Sequence, residues 1–181
     1  MQFRSKSAQW SRGCLQVYTG DGKGKTTAAL GLALRAVGAG LRVYIAQFIK
    51  KGDYSEIKAL QMLGGAVEVH QFGQGMFLFR EPTPEECADA RRGLAAVKKA
   101  MTAAEHQVFI LDEANGALHA GLFTLEELFA AVDARPEGTE LILTGRNAPP
   151  ELIERADLVT DMRAVKHYYE SGLQARTGIE R

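Results

Sequence analysis

The chain has 181 residues, 46% of them hydrophobic, and its 22 lysines and arginines are balanced by 22 aspartates and glutamates. That length suits one domain, able to bury roughly 70% of the surface its unfolded form exposes. The zero net charge removes any whole-molecule field that would argue for nucleic acid or an anionic membrane as partner. Cys14 and Cys87 lack paired spacing, so they read as reduced thiols filling space rather than as a disulfide. No apolar run has the length of a membrane span or of a signal-peptide core, and the expectation is a soluble cytoplasmic protein.

Residues 1–12 show no period and read as a flexible N-terminal arm; Phe3 and Trp10 are costly to leave bare, so the arm is expected to dock on something. The domain proper runs over 13–181. It begins with strand formers at 15–18, drops into a loop holding Gly20, Gly22 and Gly24, and continues into Lys25, Thr26, Thr27 and the helix-forming AALGLALRA. Glycines let the backbone curl so that successive N–H groups point inward, and a helix start adds partial positive charge, so this concavity suits a polyphosphate. Lys25, expected on a solvent-facing loop, would reach phosphate oxygens as a point charge, and the Thr26 hydroxyl would ligate a magnesium ion. The spacing is that of a P-loop, GxxxxGKS/T, with Thr19 standing where the first glycine belongs.

Beyond that helix the pattern alternates. Residues 41–48, LRVYIAQF, read as a strand buried on both faces; 54–63 carry apolar residues at helical spacing up to Gly64 and Gly65; and 66–72 alternate as a short strand. TPEE at 83–86 is a threonine N-cap with proline and acids in the first turn, opening a long helix to residue 104. A strand at 107–111 runs into Asp112 and Glu113. Thr124 with Glu126 and Glu127 opens another helix, followed by a strand at 140–144, a short helix at 150–155 and a last strand near 158–162. This predicts an α/β fold, a single-domain P-loop NTPase-like (RecA-like) mainly parallel sheet with helices on both faces.

In such sheets ligands bind outside the carboxyl ends of the strands. Those ends deliver the P-loop, then Gln47, Phe48 and Lys50, then Asp112 and Glu113, then Thr144, Gly145 and Arg146. VFILDE is an apolar strand ending in acids, so Asp112 or Glu113 is the partner of a magnesium ion held by Thr26. Arg146 either neutralises phosphate or forms a surface ion pair, and Lys166 and His167 either reach the ligand or sit on a solvated face. Phe72, Met76, Phe77, Leu78 and Phe79 form either an apolar cover or a loop tucked into the core. No histidine pair has zinc-ligand spacing.

Taken together, TGDGKGKTTAALGLALRAVGAG, VYIAQFIK, VFILDEAN, LILTGRNAPPELIERADLVTDMRAVKH and SGLQARTGIE resemble the ATP:corrinoid adenosyltransferases of the P-loop type, over nearly all of 13–180. The resemblance implies that the cobalt of a reduced Co(I) corrinoid attacks the 5′ carbon of ATP and releases triphosphate intact, with magnesium as cofactor. It also implies that the nucleotide lies with polarity reversed relative to P-loop kinases. Lys25, Thr26, Glu113 and Arg146 match the family's nucleotide and metal positions. The nucleotide site would extend over Gly20, Asp21, Gly22, Lys23, Gly24 and Thr27, with Arg35, Lys166 and His167 in shared segments. Where known members read TGFTW beside the corrin, this chain reads QGMFLF, so Met76 or Phe77 and Leu78 or Phe79 would have to serve there, with Phe72, Met76, Phe77 and Phe79 the corrinoid-facing candidates, and Asp21 replaces a more usual asparagine. A homodimer is implied, its N-terminal segment folding over an active site, as is an external electron donor for Co(I). The rival readings are a RecA-like ATPase or kinase that cleaves the β–γ bond with Glu113 activating water or an acceptor, and a nucleotide-binding regulatory module without turnover.

Overall fold

A computed structural model of the protein describes residues 10–75 and 80–180; the expectations for Phe3, Met76, Phe77 and Phe79 fall outside the described residues. Six strands, β1 (Leu15–Thr19), β2 (Val43–Phe48), β3 (Val67–Phe72), β4 (Val108–Asp112), β5 (Glu140–Thr144) and β6 (Leu158–Asp161), form one sheet in the order β3-β2-β4-β5-β1-β6. Every neighbouring pair is parallel. All six carboxyl ends therefore lie along one edge.

The strand burial follows from composition. VYIAQF in β2 and VFILD in β4 are buried at every residue, as expected of central parallel strands covered on both faces. Edge strand β3 alternates between half-buried and exposed, and edge strand β6 is exposed throughout.

Two cores sandwich the sheet. On one face Ile45, Ile110 and Ile142 pack with α1 (Lys25–Gly38) through Ala29, Ala33, Ala36 and Val37, and with Leu60 of α2 (Ser55–Gln61). Alanines at helical spacing bring the α1 axis close to the strands, which keeps the start of the helix tight against the sheet edge. On the opposite face Phe48, Phe109, Leu111 and Leu143 meet α3 (Pro84–Ala103), α4 (Ala114–His119), α5 (Leu125–Val132) and Leu152 of α6 (Pro150–Arg155). Both threonine caps are full capping boxes, with Thr83 N donating to Glu86 Oε2 at 2.7 Å and Thr124 N to Glu127 Oε2 at 2.8 Å. Helix α4 escaped the sequence reading because six residues, ANGALH, are too few to show a period. Among the described residues no helix is long and apolar enough to cross a membrane.

At the amino end of the sheet His106 is 6% exposed, and neither ring nitrogen has a hydrogen-bond partner among the described residues. Its Nε2 lies 3.3 Å from Glu68 Oε2, outside hydrogen-bonding geometry, and its ring stands edge-on to Tyr44 and Phe109. Burial first, and the Arg42 charge second, push its pKa below 6.5. The neutral form is thus favoured in the folded chain, so the unfolded chain takes up the proton first as pH falls. Stability is complete above about pH 6.5 and declines as the pH drops toward the folded value. His106→Leu should fold at least as stably at pH 7.5 and lose less stability than the parent on going to pH 5.5, measured as urea midpoints at the two pH values.

Candidate active site

β1 delivers the chain into the glycine loop, and the sheet edge holds that loop from both sides. Thr19 Oγ1 accepts the Ala148 N–H at 3.2 Å and the Thr19 carbonyl accepts the Met162 N–H at 2.9 Å. A threonine thus serves where a P-loop begins with glycine, because the left-handed turn comes one residue later, at Gly20 with φ 93°. The segment after β6 lies directly on the loop: a Cβ on Gly20 would stand 2.5 Å from the Met162 carbonyl oxygen, and one on Gly22 2.7 Å from the same atom. The Gly22 N–H donates to that oxygen at 2.6 Å. These glycines therefore meet a protein contact as well as a ligand requirement, which local sequence could not show. α1 closes its first helical bond from Ala28 N to Gly24 O at 2.7 Å, which leaves the N–H groups at its start for an anion.

Lys25 departs from expectation. It is 8% exposed, and its ammonium donates to the carbonyls of Gly20 at 2.6 Å and Gly22 at 2.8 Å instead of reaching into solvent. Burial lowers its pKa, with Glu113 pulling the other way. The loop is held closed around its own cation.

The deepest polar group is Asp112, which is fully buried and receives four donors. Its Oδ1 accepts from Thr26 Oγ1 at 2.8 Å and Thr144 Oγ1 at 2.7 Å; its Oδ2 accepts from Lys50 Nζ at 2.7 Å and Gln47 Nε2 at 3.2 Å. Lys50 also donates to Thr26 Oγ1 at 3.0 Å. Burial pulls the Lys50 pKa down, but the charge of Asp112 and its hydrogen bond outweigh that and raise it. Of the two acids, Asp112 is therefore the one in contact with the P-loop threonine. Glu113 follows in a left-handed conformation, φ 60°, its N–H donating to Thr144 Oγ1 at 3.1 Å. Its carboxylate lines the cleft, and its pKa is raised by burial first and by Asp112 second.

Three of the four non-glycine residues with positive φ among those described, Ile49, Glu113 and Asn147, sit just past the ends of β2, β4 and β5. Each costs on the order of 1–3 kcal/mol and persists only where surrounding structure enforces it. Each adjoins or is a polar site residue: Lys50, Glu113 and Arg146.

Lys25, Thr26, Lys50, Glu113 and Arg146 line an open cleft of about 1640 Å³, with Asp112 buried behind Thr26 and Lys50. That exceeds the roughly 300–1,000 Å³ of an ordinary small-ligand pocket and leaves room for a second large ligand beside a nucleotide. The lining includes the apolar Leu30 and Leu34 of α1 and Met62 and Leu63 after α2; Leu34 is 60% and Met62 87% exposed. Gly178, Ile179 and Glu180 of the tail line it too. Neither group was legible in sequence, since single exposed apolar residues on a helix carry no signal until a cleft brings them together.

Asp21, Lys23, Gly24, Thr27, Arg146 and His167 all line this cleft. Asp21 points outward, 86% exposed, with Arg146 Nε 3.6 Å from its Oδ1, so the aspartate that replaces a more usual asparagine is partnered by the arginine expected at the phosphates. Arg35 sits in the last turn of α1, where its charge acts on Tyr18 rather than on the cleft. Lys166 is exposed outside the lining. Phe72 packs inward, its ring 6.1 Å from that of Phe48 and pressed against α3 at Gly93. Lys50, Gln47 and Thr144 emerge as site residues; they stand at strand ends in the sequence, but their convergence on Asp112 needs three strands in register.

The donor set suits magnesium. Thr26, Asp112 and Glu113 offer only hard oxygens, and Mg²⁺ is commonly held by one or two carboxylates together with substrate phosphates and water. Among the described residues no cluster of three or more His, Cys, Asp or Glu side chains is placed to hold a metal.

Comparison with known proteins bears on the same cleft. The chain is similar to corrinoid adenosyltransferases from Pseudomonas aeruginosa, 34% identical over 174 residues covering 96% of this chain and 86% of that protein, and from Escherichia coli, 34% identical over 177 residues covering 98% and 90%. Corrinoid adenosyltransferase CobA of Salmonella typhimurium is 35% identical over 180 residues, again covering 98% and 90%. Among solved structures, the flagellar accessory protein FlaH of Methanocaldococcus jannaschii superposes with a TM-score of 0.59 at 16% identity, covering 83% of this chain and 71% of that one, a likeness of fold alone. The family model for ATP:corrinoid adenosyltransferase BtuR/CobO/CobP matches residues 11–181. With a P-loop at one end of the cleft and family similarity along almost the whole chain, this protein belongs to the ATP:corrinoid adenosyltransferase family, and it is an enzyme of that class.

Proposed function

We propose that the enzyme transfers the adenosyl group by displacement at the 5′ carbon of ATP. The cobalt of a reduced Co(I) corrinoid supplies the electron pair, the cobalt–carbon bond forms as the carbon–oxygen bond to phosphate breaks, and triphosphate departs whole. The observation that carries this reading is that one large cleft is lined both by the P-loop cations and by the apolar side chains Leu30, Leu34, Met62 and Leu63.

The protein's own work is positioning and charge neutralisation. Lys25 exchanges the Gly20 and Gly22 carbonyls for phosphate oxygens, and Arg146 leaves its exposed pairing with Asp21 to reach the same anion. The start of α1 contributes backbone N–H groups. Thr26 and Asp112, with Glu113 beside them, are the residues that would hold Mg²⁺. When bound, that ion neutralises charge on the leaving triphosphate.

The nucleophile belongs to the substrate, so no side chain need act as one. Glu113, whose pKa is raised by burial first and by the Asp112 charge second, lines the cleft and serves as a metal or ribose partner. An external electron donor supplies Co(I). A homodimer is supported by the exposed β6 edge bearing Leu158 and Val159, an edge left unpaired among the described residues and of the kind proteins tend to cover. The free thiols of Cys14 and Cys87 suit the cytoplasm.

Incubation with ATP, magnesium and chemically reduced cobalamin should yield a new cobalt–carbon absorption spectrum and one triphosphate per corrinoid. ADP and phosphate instead would establish β–γ cleavage. Lys25→Ala should lower adenosyl transfer about a hundredfold or more, the scale of losing one preorganised electrostatic contact to a developing anion. It should also lower the urea midpoint, by roughly 1 kcal/mol for each carbonyl left without its donor. Arg146→Ala should reduce kcat/KM for ATP about tenfold to a hundredfold, the worth of a hydrogen bond to a charged group. Its Tm should stay unchanged, because its ion pair with Asp21 is exposed.

A further inference from the structure

The Lys50 ammonium bonds to both Thr26 Oγ1, at 3.0 Å, and Asp112 Oδ2, at 2.7 Å. Those two side chains are the ones assigned above to magnesium, and two cations in one such seat repel. The placement is enforced from several directions. Ile49 adopts φ 66°, an outlier for a β-branched residue, and the Lys50 N–H donates to the Phe48 carbonyl at 2.6 Å across it, a tight three-residue turn that aims the next side chain back over the sheet edge. Gly75 N donates to the Ile49 carbonyl at 3.0 Å, and a Cβ on Gly73 would stand 2.4 Å from that carbonyl, so only glycine fits beneath the turn. Gln71 donates to Gln47 Oε1 at 3.0 Å, and Gln47 in turn to Asp112, continuing the same network from the edge strand. Lys50 retains 18% side-chain exposure and lines the cleft, so its ammonium has somewhere to go.

We propose that Lys50 is a positioning residue that acts as the site's resident cation. Without nucleotide its ammonium neutralises the buried Asp112 and orients Thr26; when triphosphate arrives with a divalent metal, the ammonium cedes that seat and moves onto the phosphate oxygens. The inference rests on the reading of Thr26 and Asp112 as the magnesium pair. Its consequence is coupling: metal alone must evict a charge that has no new partner, whereas metal with triphosphate supplies one, so each ligand strengthens the other by the same factor. The site thereby stays electrically compensated in both states, since an unpaired carboxylate at this depth is strongly destabilising.

The test uses Mn²⁺ as a paramagnetic probe of the full chain without nucleotide, with thermal unfolding and calorimetric titration of inorganic triphosphate in parallel. Lys50→Met should bind Mn²⁺ alone about tenfold or more tightly than the parent, bind metal-free triphosphate more weakly, and show a Tm that rises on adding Mn²⁺ where the parent's does not. Should Lys50→Met fail to fold, Lys50→Gln keeps a donor to Asp112 while removing the charge, and the same gain in Mn²⁺ affinity is expected. Unchanged Mn²⁺ affinity in these variants, with Asp112→Asn still weakening Mn²⁺·ATP binding, overturns the resident-cation role and leaves the magnesium pair standing. Mn²⁺·ATP binding that Asp112→Asn does not alter overturns the pair itself, and this inference with it.

Discussion

The buried carboxylate of Asp112 is the constraint around which the active edge is arranged. A fully buried charge is tolerated only when paired and hydrogen-bonded, and this one draws its partners from the start of α1, the end of β2 and the end of β5. One side chain thereby ties the P-loop helix to three strands and sets the spacing between the phosphate cradle and the neighbouring cations. Removing any donor would cost more than the net worth of its bond, because the charge left behind cannot reach water.

Backbone strain is placed where the chemistry lies. Ile49, Glu113 and Asn147 take left-handed conformations just past the ends of neighbouring strands, each being or adjoining a charged side chain that lines the cleft. Parallel strands covered by helices provide the rigidity that sustains such turns. The glycines share in the arrangement: Gly20 and Gly22 admit the segment after β6, and Gly73 admits the Ile49 turn, so the backbone comes close in two places at one edge. Flexibility is the smaller part of their role.

The cleft explains how a P-loop can serve alkyl transfer instead of phosphoryl transfer. Its lining joins the P-loop cations with the apolar Leu30, Leu34, Met62 and Leu63, and the tail residues Ile179 and Glu180 line it too. The Arg176 guanidinium over the Tyr168 ring, 5.3 Å from its centre, and the hydrogen bond from Tyr168 to Glu180 give that tail its shape.

Much of this was legible in the residues alone. Periodicity and capping located six strands and the long helices, since LRVYIAQF and VFILDE bury on both faces and TPEE and TLEE carry their own caps; strand, glycine loop and helix start in sequence identified the phosphate cradle, and the wider run of motifs carried the family. These features depend on local conformation, which neighbouring residues decide. Contacts between distant segments were another matter. The strand order, the choice of Asp112 over Glu113 as the acid touching Thr26, the burial of Lys25 in its own loop, the inward turn of Phe72 and the pairing of Asp21 with Arg146 all depend on which strand ends become neighbours. Lys50 shows the division most plainly: its position after a strand could be read from sequence, but its seat between Thr26 and Asp112 comes from β2 lying beside β4 and from a γ-turn held by glycines more than twenty residues away, a juxtaposition that only the folded sheet creates.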